Sequence, residues 1–281
     1  MKKTPYTQIK QELAELVAKP LVELLPKKWE KIGDILILVI PDQLQGYEYN
    51  IAKTYAKQLQ CRCVLADEQS IQGVHRIPHM RLLYGPTQTI TVHKENNILY
   101  TLDPQQIMFS SGNMDERLRM AHIQCTDETI IDLFTGIGYF TLPLAVYAHP
   151  KKIIACEINP VSYGFLQQNI YQNNVVDKVE PLLGDNRITA PKHQADRILM
   201  GYLHETHTFL PTAFNCLKPS GGIIHYHTTV SKKHVSILPT TVIEPLANKY
   251  DLTIQVHHIQ QVKSYAPGIL HVVYDLEVRP Q

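Results

Sequence analysis

From Thr129 to Tyr226 short β-rich runs alternate with stretches that carry a helical pattern of apolar positions. Thr129-Leu133, Ile153-Cys156, Val179-Leu183, Arg197-Met200 and Gly222-Tyr226 read as strands. Tyr139-Tyr147, Val161-Asn173 and Thr208-Cys216 fit helices between them, and Pro219-Ser220-Gly221-Gly222 marks a turn before the fifth strand. Repeated βα units of this kind predict a parallel sheet with helices on its faces. Two later β-rich runs, Thr253-Ile259 and His271-Val278, flank Ser264-Tyr265-Ala266-Pro267-Gly268 and are expected to close the sheet as an antiparallel pair.

The pattern differs before about Leu102. A helix near Gln8-Ala18, a strand at Ile35-Ile40, a helix near Ile51-Leu59 and a β-rich stretch follow one another. Thr89-His93 and Ile98-Leu102, joined by Lys94-Glu95-Asn96-Asn97, read as a hairpin. The expectation is a small α+β domain over residues 1–103 and an α/β, Rossmann-like domain over 104–281, meeting near Asp103-Pro104. Neither an internal repeat nor a low-complexity linker interrupts this division.

Composition narrows the class. The 281 residues suffice for one large or two ordinary domains, and 44% hydrophobic with 19% charged residues excludes a disordered chain. A formal charge of +1 leaves nucleic acid open as a partner, because a balanced protein can still present a basic face. Lys27-Lys28 with Lys31, Lys151-Lys152 and Lys232-Lys233-His234 are the candidate patches, although runs of this kind are more often solvated surface than phosphate contacts. Cys61, Cys63, Cys125, Cys156 and Cys216 are odd in number and scattered, which suits a reducing compartment. Cys61-Arg62-Cys63 looks like half a metal site whose second half is missing. The longest apolar run, Ile35 to Ile40, falls far short of the ~18 residues of a membrane span. Met1-Lys2-Lys3 leads into polar residues rather than the apolar centre of a signal peptide, so a cytoplasmic protein without a membrane partner is expected.

The candidate chemistry sits at the strand ends. Asp132-Leu133-Phe134-Thr135-Gly136-Ile137-Gly138 lies where the first strand hands over to a helix, and its glycines let backbone turn tightly against a ligand. Alone, such a pair serves a structural turn as readily as a cofactor. Glu157 ends the next strand about twenty residues on, where an acidic side chain can accept hydrogen bonds from ribose hydroxyls. Asp185-Asn186 follows the third strand, at the place of the adenine edge. The third glycine of a dinucleotide fingerprint would fall at Thr141, and its absence favours S-adenosylmethionine over a nicotinamide dinucleotide.

Three segments in order, Phe109-Ser110-Ser111-Gly112-Asn113-Met114-Asp115-Glu116-Arg117-Leu118-Arg119-Met120, Asp132 to Phe140, and Val262-Lys263-Ser264-Tyr265-Ala266-Pro267, resemble the tRNA guanine-N1-methyltransferase and wybutosine-synthesis superfamily. Leu24-Leu25-Pro26-Lys27-Lys28-Trp29-Glu30 and Leu82-Leu83-Tyr84-Gly85 extend the resemblance to a small tRNA-interacting front domain. It implies a class I methyltransferase fold that uses S-adenosylmethionine, with tRNA as partner and no metal. It also implies cofactor binding by Ser110, Arg117, Asp132, Gly136, Gly138, Glu157, Asp185 and Asn186. Arg117 also reads as a surface or helix-pairing arginine. Methyltransferase members carry Asn-Leu-Pro or Asn-Pro-Pro after the fourth strand, whereas this chain reads Met200-Gly201-Tyr202-Leu203-His204. That departure resembles the branch that transfers the 3-amino-3-carboxypropyl group onto a wybutosine precursor 3′ of the anticodon. Methyl transfer to guanine is the alternative.

A sulfonium has three electrophilic carbons, and orientation decides which one reacts. Tyr202, His204 and Lys263 are expected on the substrate side. A carbon nucleophile must lose a proton after attack, for which Tyr202, His204 or His207 are conceivable, and no catalytic base is assigned. His204 with His207, and His225 with His227, share faces at helix and strand spacing and so invite a metal reading. A polar pocket lining or surface role fits better, since a sulfonium needs no Lewis acid.

Overall fold

A computed structural model describes residues 4–73, 77–203 and 205–281, with the side chains of residues 69–72 also outside the description. The chain forms two compact units, Met1–Ser111 and Gly112–Gln281.

In the first unit, α1 (Pro5–Leu13) starts earlier than its apolar spacing suggests. Thr4 accepts a hydrogen bond from the Thr7 amide at 3.2 Å, and Pro5 brings the backbone angle a first helical turn needs. Strands β1 (Glu30–Ile32), β2 (Ile35–Leu38), β3 (Cys63–Gln72) and β4 (Ile77–Tyr84) form one sheet in that order, with α2 (Glu48–Leu59) between β2 and β3 in the chain. Only the β2–β3 pair is parallel, and β2 is buried along its whole length, which explains its unbroken apolar run. Ile9, Leu13, Ile51 and Tyr55 of the two helices share a core with Leu36 and Val64. Strands β5 (Thr91–Glu95) and β6 (Ile98–Leu102) make the expected hairpin, but Lys94 and Glu95 belong to its ladder. Only Asn96 and Asn97 turn, both at positive φ, the geometry of a two-residue hairpin loop that asparagine tolerates.

The second unit opens with α3 (Met114–Ala121) and then alternates: β7 (Thr129–Asp132), α4 (Thr141–Pro143, continued by a π-turn over Leu144–Ala148), β8 (Lys152–Glu157), α5 (Pro160–Gln172), β9 (Val179–Leu183), α6 (Asn186–Thr189), β10 (Arg197–Met200), α7 (Leu210–Cys216) and β11 (Gly222–Ser231). A short α8 (Glu244–Ala247) precedes the long strands β12 (Leu252–Ala266) and β13 (Ile269–Pro280). Sheet order is β12-β13-β11-β10-β7-β8-β9. The five strands from β11 to β9 are parallel, and β13 runs antiparallel between β11 and β12. This is the Rossmann-like α/β architecture expected. Ser264, Tyr265 and Ala266 lie within β12 rather than in a connecting loop, so Pro267-Gly268 alone makes the turn. Chain order reverses across β7, with β8 on one side and β10 on the other. Ligands of such sheets bind beyond the carboxyl ends of the strands at that switch point.

Candidate active site

The loop after β7 is built by its own side chains. Asp132 is fully buried; one oxygen accepts from the Phe134 amide at 3.1 Å and the other from the Thr141 hydroxyl at 2.8 Å. Burial outweighs these bonds and pushes its carboxyl up to about 6. Gly136 and Gly138 sit at φ +61 and +103, and a Cβ at Gly136 would lie 2.5 Å from the Tyr139 ring. The tight turn therefore requires glycine. Glu157, at the end of β8, accepts from the Gly136 amide at 2.8 Å and the Asn159 amide at 2.7 Å. A carboxylate has further lone pairs for hydroxyl donors. Asn159 in turn caps α5 by accepting from the Val161 amide at 2.9 Å.

Beyond β9, Asp185 caps α6 and pairs with Arg187, whose hydrogen bonds hold its carboxyl below the usual range. Asn186 donates to the Leu133 carbonyl at 2.7 Å, while its buried Oδ1 has no hydrogen-bond partner among the described residues. Phe134 stacks on Tyr202 with ring centroids 5.1 Å apart, and Phe209 meets both rings edge-on. This aromatic cluster is visible only once the connections after β7 and after β10 fold together; of its members, the sequence singled out Tyr202 alone as a substrate-side residue.

A second polar layer joins α3 to β11 and β13. Arg119 bridges Glu116 on its own helix, at 2.7 Å, and Asp275 on β13, at 2.6 Å. Asp275 meets His225 Nδ1 at 2.6 Å, and Arg197 Nη1 lies 2.8 Å from His225 Nε2. Arginine only donates, so His225 accepts at Nε2 and must donate from Nδ1 to Asp275. Burial keeps His225 neutral. Asp275, although buried, is held well below the carboxylate range by His225 and Arg119. Two positions along β11, His227 Nδ1 lies 3.1 Å from His271 Nε2. Of the histidine pairs that suggested metal by spacing, His225 and His227 are thus engaged with protein groups. Among the described residues no group of three His, Cys, Asp or Glu side chains is arranged to hold a metal ion.

The remaining expected residues fall as follows. Ser110 belongs to the first unit and is half-buried, whereas Arg117 lies buried on α3 in the second. Lys263 lies on β12, its ammonium 3.2 Å from where a Cβ of Gly112 would sit. His207 is exposed in the short helical turn before α7, and His204 lies outside the described residues.

A sheet of this order, with a glycine loop after its central strand and an acidic residue closing the next, defines the class I S-adenosylmethionine-dependent methyltransferase-like fold. Residues 91–255 match the TRM5/TYW2 methyltransferase domain, and residues 9–89 match the TYW2 N-terminal domain. The chain belongs to the TRM5/TYW2 family. It is 42% identical, over 96% of each chain, to the tRNA(Phe) (4-demethylwyosine(37)-C(7)) aminocarboxypropyltransferase of Pyrococcus horikoshii. The crystal structure of P. horikoshii TYW2 in complex with MeSAdo superposes with a TM-score of 0.88 at 40% identity, covering 98% of this chain and 100% of that one. That of M. jannaschii TYW2 in complex with AdoMet superposes with a TM-score of 0.74 at 37% identity, covering 90% and 100%.

Proposed function

We propose that this chain transfers the 3-amino-3-carboxypropyl group of S-adenosylmethionine to a carbon of a wybutosine precursor, 4-demethylwyosine, 3′ of the anticodon in tRNA. The observation that carries this reading is the 42% identity to an enzyme of that activity, sustained over 96% of both chains. When bound, the sulfonium supplies the electrophilic carbon. The residues present suit such a group: Gly136 and Gly138 bring bare backbone to the strand end, Glu157 keeps acceptor capacity, and the orphaned Asn186 Oδ1 suits an amino-group donor.

On this reading Asp132 acts through the loop it supports, Asp185 and Asn186 flank the adenine, and Ser110 and Arg117 bind the cofactor. Tyr202, stacked on Phe134, offers an aromatic face to a splayed-out purine, as single-stranded RNA recognition requires. His204 and Lys263 complete the substrate side. The first unit and the exposed Lys27, Lys28, Lys151, Lys152, Lys232 and Lys233 hold the tRNA backbone. No helix among the described residues is long and apolar enough to cross a membrane, and we place the enzyme with its tRNA in the cytoplasm.

The test is product identity. Incubated with labelled S-adenosylmethionine and tRNA carrying 4-demethylwyosine, the protein is expected to release methylthioadenosine and to add the aminocarboxypropyl mass to the base. Release of S-adenosylhomocysteine would assign methyl transfer instead.

A further inference from the structure

His227 and His271 are each 1% exposed, and each has one ring nitrogen without a hydrogen-bond partner among the described residues: Nε2 of His227 and Nδ1 of His271. Two buried imidazoles left open at both ends of a shared hydrogen bond call for a functional explanation. The pair lies at the carboxyl edge of the sheet. Met200 is the ladder partner of Tyr226, so His227 follows directly beyond the end of β10, beside Gly201-Tyr202. The Phe140 ring, 5.0 Å from His227, is also the group that a Cβ at Gly201 would meet. At the other end His271 is the ladder partner of Lys263.

The protons in this pair can be assigned. His227 Nε2 lies 3.9 Å from Glu116 Oε1, too far for a hydrogen bond, yet the carboxylate favours an N–H facing it. His227 Nδ1 then accepts from His271 Nε2–H, which leaves a bare lone pair on His271 Nδ1 beside Lys263. Glu116 can take a proton. Glu128, Arg197, Asp275, Arg119 and Glu116 are linked through His225 into a chain of three carboxylates and two guanidinium groups, with negative charge in excess.

We propose that His271, His227 and Glu116 form a proton relay that removes the hydrogen displaced from the substituted carbon of the base. The proposal rests on the function given above. The ring carbon's electron pair forms the new carbon–carbon bond while the carbon–sulfur bond breaks and its pair leaves on the sulfur of methylthioadenosine; the carbon–hydrogen bond then breaks and its electron pair restores the ring. The proton bonds to His271 Nδ1; the proton on His271 Nε2 passes to His227 Nδ1, and that on His227 Nε2 passes to Glu116. Both imidazoles end neutral, each in the opposite tautomer, so no imidazolium persists beside Lys263. Burial, with Lys263 adding to it, pulls His271 down to about 4, and burial raises Glu116 against the opposing pull of Arg119. Both shifts suit a route that ends on the carboxylate. The groups facing it are Arg119 and Asp275 around Glu116, His258 across from it on β12, and Lys263 beside His271.

Two measurements test the relay. Nitrogen-15 NMR of histidine-labelled protein without cofactor, assigned with His227→Asn and His271→Asn, is expected to show both imidazoles neutral at pH 7, protonated at Nε2 and bare at Nδ1. A proton on His271 Nδ1, or a charged ring, would overturn it whatever the enzyme's product. In single turnover, His271→Asn is expected to slow base modification by roughly 10²–10⁴-fold. It should also reveal a primary isotope effect, absent from the wild type, when that carbon carries deuterium. S-adenosylmethionine affinity should stay within about twofold, and His227→Asn should reproduce both effects. Full rates in both folded variants, or slowing without an isotope effect, would refute the relay. A wild type that yields S-adenosylhomocysteine would instead remove the functional reading beneath it.

Discussion

Glu157 holds two backbone amides, at Gly136 and Asn159, and so ties the glycine loop to the cap of α5. Replacing it with alanine removes a charged acceptor and releases both. Glu157→Ala is expected to weaken S-adenosylmethionine binding by ~1–3 kcal/mol, and an unchanged dissociation constant in calorimetry would refute the assignment. His271 carries a pH signature. Its folded value of about 4 lies below the roughly 6.5 of an unfolded histidine. Below pH about 6.5 the unfolded chain therefore binds a proton that the folded chain refuses. Stability is full above that pH and falls as the pH drops towards 4, by about 3 kcal/mol at most. Burial acts in the same direction on His227. Urea midpoints of wild type and His271→Gln, compared at pH 7 and pH 5, should show a smaller loss in the variant; equal losses would place the proton elsewhere.

Helix α3 owes its seat on the sheet to charge as much as to apolar contact. Met120 and Ala121 are buried, but so are Glu116 and Arg117, and Arg119 reaches across to Asp275. Removing one member of such a buried set leaves the others uncompensated. Arg119→Met is therefore expected to cost about 3–5 kcal/mol, read as a shift in the urea midpoint at neutral pH. The triple variant Arg119→Met, Glu116→Gln, Asp275→Asn should recover part of the loss. A single variant as stable as wild type would show that α3 is held by its apolar face alone. Strands β12 and β13 show a related economy. Polar residues such as Gln260, Gln261 and Lys263 take part in the ladder, Gln261 exposed and the other two half-buried, and three register shifts adjust the pairing along its length.

At the scale of the molecule the near-neutral charge conceals local basic surface. Lys232 and Lys233 are exposed on the turn that follows β11. If they neutralise phosphates, Lys232→Ala and Lys233→Ala should each weaken tRNA binding without regard to sequence. Each should also reduce the slope of log Kd against log salt by about one. An unchanged salt slope would return this patch to ordinary solvated surface.

The sequence alone determined the strand succession of the second unit and its three longer connecting helices, though not α3, because strands such as β8 and β10 are short buried runs bounded by polar turns. It also determined the glycine loop and Glu157, since backbone constraint and spacing along one chain are local properties. Longer strands were read too short, because their exposed faces carry polar residues that break an apolar run. Only the tertiary structure decided what the histidines do. His227 and His271 stand 44 residues apart in the chain, and β-strand spacing places side chains on one face without saying which strand lies alongside. The order β12-β13-β11 sets these residues side by side, and burial there converts surface-like histidines into neutral groups.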